Sequence, residues 1–221
     1  DRTRLLFAIV TIFSVSLLAC GSRSPLLGTS IAMLSVLTSL LARRPYQVIF
    51  ITILGAIGLS FFFQTDFFAE HVLRESSLRQ ASNRTFFWDL GRGYIEKRPD
   101  FGHGFGTDVL IHDYYGIALV DLGLRGAGVM SSYYGLAVQI GQPFAYCFFG
   151  AIWGFVSHSF IKYWRDYEIA SLVGTITSGL VLCFFENVIY SAGNNFCFLF
   201  WIIFMLAVRR ILYRKMGLSA I

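Results

Sequence analysis

The residue types able to do acid–base chemistry are few in this chain, and they gather in one place. A polar stretch, Gln64 to Arg125, interrupts otherwise apolar sequence and carries His112, a Gly-His-Gly-Phe-Gly turn at residues 102–106 and an arginine- and tryptophan-bearing segment that begins at Arg84. An imidazole titrates around a pKa of about 6.5, so small environmental shifts make it a general base at neutral pH. His112 opens the run His-Asp-Tyr-Tyr before an apolar helix at Gly116 to Leu122, and two readings stand: a general base, or an interfacial hydrogen-bonding residue. Arg23 is the second candidate, isolated between two apolar runs. Its guanidinium fork suits a diphosphate, while the other reading is an arginine that snorkels to lipid phosphate. The alternating glycines 102, 104 and 106 permit backbone conformations that a side chain forbids. Their amides suit an anion-binding nest, and a tight turn that positions the residues after it accounts for them equally. A nucleotide loop is excluded, because no Lys-Ser/Thr ending and no strand-to-helix setting accompanies them.

The elements that hold these residues are membrane-length. Of 221 residues, 56% are hydrophobic and 14% charged, with 23 phenylalanines; mean hydropathy is +0.63. A hydrocarbon core of roughly 30 Å needs about 20 helical residues, and about six runs qualify or nearly so. They are Leu5 to Cys20, the run after Gly21-Ser22-Arg23-Ser24-Pro25 up to Ala42, Val48 to Phe63, Pro143 to Ile161, Ile169 to Phe185 and Phe196 to Leu212. Cations near helix ends stay on the cytoplasmic side. Arg2, Arg4, Arg43, Arg44, Lys162, Arg165, Arg209, Arg210, Arg214 and Lys215 fall at alternate ends of these runs. Arg23, the Gln64 to Arg125 stretch and the Asn187 to Asn195 turn are therefore expected outside. Gly126 to Ile140, rich in Gly, Ser and Tyr, reads as a re-entrant or interfacial piece, since a full crossing there would place Lys162 and Arg165 outside. The expected organisation is three transmembrane helices in 1–63, an extracytoplasmic loop in 64–125, and the re-entrant piece with three more helices in 126–221. The chain opens on Asp1, not Met, and Leu5 lies close to the terminus, so further helices of the same protein are expected upstream.

Within the loop, the periodicity predicts a helix over Arg84 to Arg98, started by Ser82 or Asn83 and ended by Pro99. Phe86, Phe87, Leu90 and Tyr94 share one face, and Arg84, Asp89, Arg92, Glu96 and Lys97 fall away from it. That face is expected against lipid or the bundle, with Trp88 as a headgroup anchor in the plainest version. The net charge of +5 reads as topology, because the cations are dispersed and form no face that could track nucleic acid. Cys20, Cys147, Cys183 and Cys197 lie in apolar runs without metal-ligand spacing and read as small buried hydrophobes.

Ser22-Arg23 before a span ending in an arginine pair, Arg84-Thr-Phe-Phe-Trp88, Arg98-Pro-Asp-Phe-Gly-His-Gly-Phe-Gly106, then His112 leading to Leu122-Gly-Leu-Arg-Gly126, together resemble the O-antigen ligase and Wzy-type polymerase superfamily. The resemblance covers Ser22 to about Gly126, is weaker around Glu186 to Asn195, and corresponds to the C-terminal half of such proteins. It implies an all-α polytopic GT-C-like glycosyltransferase of the bacterial inner membrane, with its site on the periplasmic face. The implied donor is a polyprenyl diphosphate-linked oligosaccharide, the acceptor is a glycan hydroxyl, membrane lipid surrounds both, and no metal or other cofactor is used. By the same likeness Arg23 and Arg84 match diphosphate-binding arginines, and His112 matches the histidine that deprotonates the acceptor. Asp113 stands where the family often has Asn, a change that bears on the histidine's pKa, and the Gly126 to Gln142 piece is longer than usual.

The residue types fit that chemistry in their own right. A diphosphate is already a good leaving group, so the work is to stabilise its charge and align a hydroxyl with the anomeric carbon. Arginines do the first and a histidine the second; Asp89, Arg92, Asp108, Asp113 and Tyr115 are candidates to orient acceptor hydroxyls. Metal-assisted transfer predicts an Asp-x-Asp pair, which the sequence lacks. Polymerase and ligase differ only in the acceptor. A non-enzymatic alternative, a transporter or flippase for the same lipid-linked glycans, calls for mid-membrane ionisable or broken-helix sites and an internal repeat. The spans carry almost no charge in their middles, and no repeat is visible.

Overall fold

The computed structural model describes residues 23–41, 46, 83–107, 129–190 and 195–217, with the side chains of 23–26 and 83–86 left aside. Among the described residues every regular element is helical: α1 (Arg23–Leu41), α2 (Asn83–Lys97), α3 (Ser132–Ile140), α4 (Gln142–Tyr163), α5 (Tyr167–Leu182) and α6 (Asn195–Lys215). The expected spans Leu5 to Cys20 and Val48 to Phe63 lie outside the described residues, as does Cys20.

α4 and α6 have 22 and 21 residues, about 33 Å and 31 Å at 1.5 Å per residue, and are apolar enough to cross a hydrocarbon core. Only 28% of the apolar window of α4 and 17% of that of α6 is buried within the protein. The core helix of a water-soluble domain would be mostly covered, so these helices turn apolar surface outward. Pro143 fits the first turn of α4, where its missing N–H costs nothing. α3, with nine residues, extends only about 14 Å, well short of a bilayer core.

α5 is the central helix and packs against α1, α4 and α6. The expected run Ile169 to Phe185 ends earlier as a helix, at Leu182; beyond it the N–H groups of Phe184 and Phe185 bond back to Val181 O and Leu182 O in tight turns, and α3 takes the Cys183 carbonyl. Ile169, Val173, Ile176 and Leu180, all fully buried, repeat at helical spacing and make its core face. Asp166 caps its start, the carboxylate accepting from the N–H groups of Glu168 (3.2 Å) and Ile169 (3.4 Å). α1 lies against α5 through small residues, which let two helices approach closely. A Cβ built on Gly174 would stand 2.6 Å from Ser35 Cβ, and one on Gly28 would stand 2.7 Å from Ser178 Oγ. Gly28 thus meets the last turns of α5, and Ser35 meets its middle. The two helices are antiparallel, and α1 begins where α5 finishes.

The bundle has two distinct ends. At one, the α4–α5 turn meets the C-terminus of α6: Arg210 pairs with Glu168, and Arg214 lies 3.8 Å from Asp166. Lys162 and Arg165 stand at that end too, so two of the expected cytoplasmic cation groups share one face of the bundle. At the other end are α2, α3, the N-terminus of α4 and residues 183–190. The cysteines need one correction. Cys183 is buried and Cys197 is partly buried, but Cys147 is exposed, because it falls on the outward face of α4.

Candidate functional site

At the second end, α2 lies on α3. Phe87, Leu90, Gly91 and Ile95 are buried, and a Cβ on Gly91 would come within 2.9 Å of Val129. The Trp88 indole N–H donates to the Met130 carbonyl (2.9 Å), and its ring lies 6.3 Å from both Tyr134 and Phe185. Trp88 therefore fixes α2 to the protein and is no headgroup anchor. The reason is the N–H: a partly buried indole needs an acceptor, and the loop before α3 provides one. The helix presents Asp89 and Arg92 outward, 3.7 Å apart. The Tyr134 hydroxyl, hydrogen-bonded to the Arg92 guanidinium, holds that group above its ordinary pKa, with Asp89 adding to the effect. Asp89, Arg92 and Tyr134 thus form one polar edge on the seam between α2 and α3.

The first residues of α3 close the end of α5. The last carbonyls of a helix have no partner inside it. Ser132 N–H donates to Cys183 O (2.7 Å) and Glu186 O (3.2 Å), and Ser131 Oγ donates to Cys183 O (3.2 Å). Ser132 Oγ donates to Glu186 O (2.9 Å) and accepts from Val188 N–H (2.8 Å). One residue on, Tyr133 donates to Leu180 O (3.2 Å) and accepts from Trp153 Nε1 (2.9 Å). Burial pushes the Tyr133 phenol up to about 12, against the Trp153 hydrogen bond, so it stays protonated and keeps donating at neutral pH.

The glycine turn docks on the α3–α4 junction. Gly102, Gly104 and Gly106 have φ of 67°, 103° and 81°, the left-handed side that favours glycine. His103 N–H donates to Val138 O (2.8 Å), Gly104 N–H to Gln139 O (2.9 Å) and Gly106 N–H to the Gln139 side-chain Oε1 (3.3 Å). Gln142 N–H returns a bond to Pro99 O (2.7 Å), and His103 Nε2 lies 2.9 Å from Tyr94 O. A Cβ on Gly102 would meet the Gln139 main chain at 2.6 Å. The anion-nest reading is thereby overturned, since these amides are spent on protein acceptors. The turn is a clamp, and it sets where the chain leaves toward residue 108.

Gln139 is the central piece of this clamp, a buried amide in an apolar helix. Gln139→Leu removes the acceptor of Gly106 N–H. At about 1 kcal/mol per hydrogen bond, exchange of that amide should quicken roughly five-fold, read by hydrogen–deuterium exchange; unchanged protection would mean that Oε1 does not hold the turn.

Of the residues expected to act, Asp89 and Arg92 are on the exposed face of α2. Arg23 and Arg84 stand in the first turns of α1 and α2, with their side chains outside the described set. The two helix starts are brought to one end of the bundle, because α1 begins where α5 finishes and Trp88 of α2 touches Phe185 just beyond. His112, Asp108, Asp113 and Tyr115 lie outside the described residues. Sequence reasoning missed Tyr134, Gln139 and Ser132. The signals were a Ser-Ser pair ahead of an apolar run, which reads as a helix start, and a single amide within that run.

A family model described as O-Antigen ligase matches residues 7–128. The chain belongs to the O-antigen ligase family. This makes it a glycosyltransferase-like ligase or polymerase in broad terms, acting on lipid-linked oligosaccharide and glycan substrates. Among curated proteins and among solved structures, nothing matches it. The stretch that makes it an O-antigen ligase family member includes α1, α2 and the glycine turn and stops just before Val129. In this O-antigen ligase family protein, the matched helices thus pack on elements that come after the matched stretch, α1 along α5 and α2 on α3.

Proposed function

We propose that the chain transfers an oligosaccharide from a polyprenyl diphosphate carrier to a sugar hydroxyl at the extracytoplasmic face of the bacterial inner membrane, without metal. Arg23 and Arg84 hold the diphosphate. His112 accepts the proton of the acceptor hydroxyl as its oxygen bonds to the anomeric carbon; the bond from that carbon to the diphosphate oxygen breaks, and the electron pair leaves with the carrier. Charge developing on the leaving group meets two guanidinium forks, which replace a divalent cation. Asp89, Arg92, Asp108, Asp113 and Tyr115 orient the acceptor. The organisation is three transmembrane helices in 1–63, the loop in 64–125, and a re-entrant piece with three helices in 126–221, in a GT-C-like arrangement.

The observation that carries this reading is the antiparallel seating of α1 on α5, with α2 against the α5 terminus, which brings the helix starts bearing Arg23 and Arg84 to one end. Family membership over residues 7–128 supports it, because that stretch includes both arginines and His112. The test is transfer by the purified full-length protein supplied with labelled polyprenyl diphosphate repeat units in detergent. Longer glycans and released carrier support catalysis. Intact donor throughout would sink it and favour a flippase.

Arg84→Lys separates geometry from charge. An ammonium is a point charge and cannot make the two parallel hydrogen bonds of a guanidinium. Turnover should fall by about ten-fold or more, as expected for losing one charge-assisted bond of roughly 1.5–3 kcal/mol. A lysine variant with full activity would remove Arg84 from the diphosphate site.

A further inference from the structure

The glycine turn carries two large apolar side chains that stand exposed among the described residues. Phe101 is 79% exposed and Phe105 is 83% exposed. The main chain that carries them is held in place, because the amides of His103, Gly104 and Gly106 between and beside them are tied to α3. Phe101 lies 6.3 Å from Phe144 in the first turn of α4, and Phe144 and Tyr146 are themselves 54% and 68% exposed. The patch is therefore continuous with the outward apolar face of a helix long enough to cross a bilayer. Lys97 and Arg98, both exposed, immediately precede it.

We propose that this patch sits in a lipid surface, with Phe101 and Phe105 in the interfacial layer of the outer leaflet beside the start of α4. The proposal rests on the membrane reading above. Phenylalanine has no polar atom to offer a sugar, so its burial at the boundary of headgroups and acyl chains is the outcome its chemistry favours. Cations next to apolar residues at that depth meet lipid phosphates. The turn thus takes its height from the bilayer itself. In sequence the turn ends at Thr107, ahead of His112, and the diphosphate of a polyprenyl carrier lies in the headgroup layer.

The experiment places single nitroxide labels at Phe101→Cys, Phe105→Cys, Tyr146→Cys and Glu96→Cys in the full chain, with the four native cysteines replaced by alanine, in lipid nanodiscs. Collision with oxygen is compared with collision with an aqueous nickel chelate. Phe101 and Phe105 are expected to show an oxygen-to-nickel ratio several-fold above that at Glu96 and nearer to that at Tyr146. A ratio equal to that at Glu96 would overturn the proposal. Aqueous ratios whose collisions fall on adding acceptor glycan would overturn it too, and would assign the patch to carbohydrate. Phe105→Trp with the native cysteines retained gives a second readout: lipid brominated near its headgroup should quench the added fluorescence, and absence of quenching counts against the proposal. Neither readout needs turnover, so a chain inactive in transfer but with a lipid-seated turn would reject the catalytic reading alone.

Discussion

His112→Ala is expected to abolish glycan transfer while leaving the protein folded, with kcat lower by about 10²- to 10⁴-fold, the usual worth of a positioned general base. On the proposed reading donor KM should move little, because that reading gives the diphosphate to the arginines and not to the imidazole. The pH profile gives the sharper test. A base acts only when unprotonated, so the wild-type rate should be low in acid and rise with pH to a plateau as the imidazole loses its proton. The residual rate of the variant should lack that acid limb. Asp113 follows His112 in the sequence, and on the proposed reading its carboxylate favours the imidazolium and moves the limb to higher pH. Asp113→Asn should move it back down. A His112→Ala enzyme that keeps both its rate and its acid limb would falsify the assignment of the base.

The second large effect is expected at Gly141, the hinge between α3 and α4. Its φ of 88° and ψ of 159° lie in a region that is essentially glycine's alone. An added Cβ would also run into the Asp100 carbonyl, a main-chain atom that cannot rotate away. Backbone strain alone costs about 1–3 kcal/mol. The clash adds to this and falls on the strand of chain that leads into the glycine turn, where Gln142 N–H bonds to Pro99 O at 2.7 Å. Gly141→Ala should lower the thermal midpoint in detergent by several degrees and lose much of its transfer activity. Gly150→Ala is the control, because a Cβ there meets nothing within 4 Å. Equal midpoints for the two variants would show that the α3–α4 corner tolerates a side chain and that the turn is not clamped as described.

Much of the architecture was legible one segment at a time. The helix at Asn83–Lys97 followed from periodicity, with Pro99 near its end, and its buried residues Phe87 and Leu90 are ones the pattern pointed inward. α4 and α6 announced themselves by unbroken apolar length. Readings failed where a polar group had a choice of partner. The amides of the glycine turn were free to bind an anion as far as their own residues show, yet they bond to Val138 and Gln139, far along the chain. The Trp88 indole was equally free to face headgroups, but it found Met130 O instead. Hydrogen-bond partners of this kind are set by which segments come together, and no local pattern encodes that.

Apolar length and periodicity were enough to mark helices, because they are local properties, and the motifs between Ser22 and Gly126 were enough to point to the family. Only the tertiary structure decided that the starts of α1 and α2 share one end of the bundle, that α3 closes α5 through Ser131 and Ser132, and that Gln139 holds the glycine turn. Each of these depends on contacts between segments distant in sequence. Such contacts form because buried carbonyls and amides must be paired somewhere, and packing chooses where.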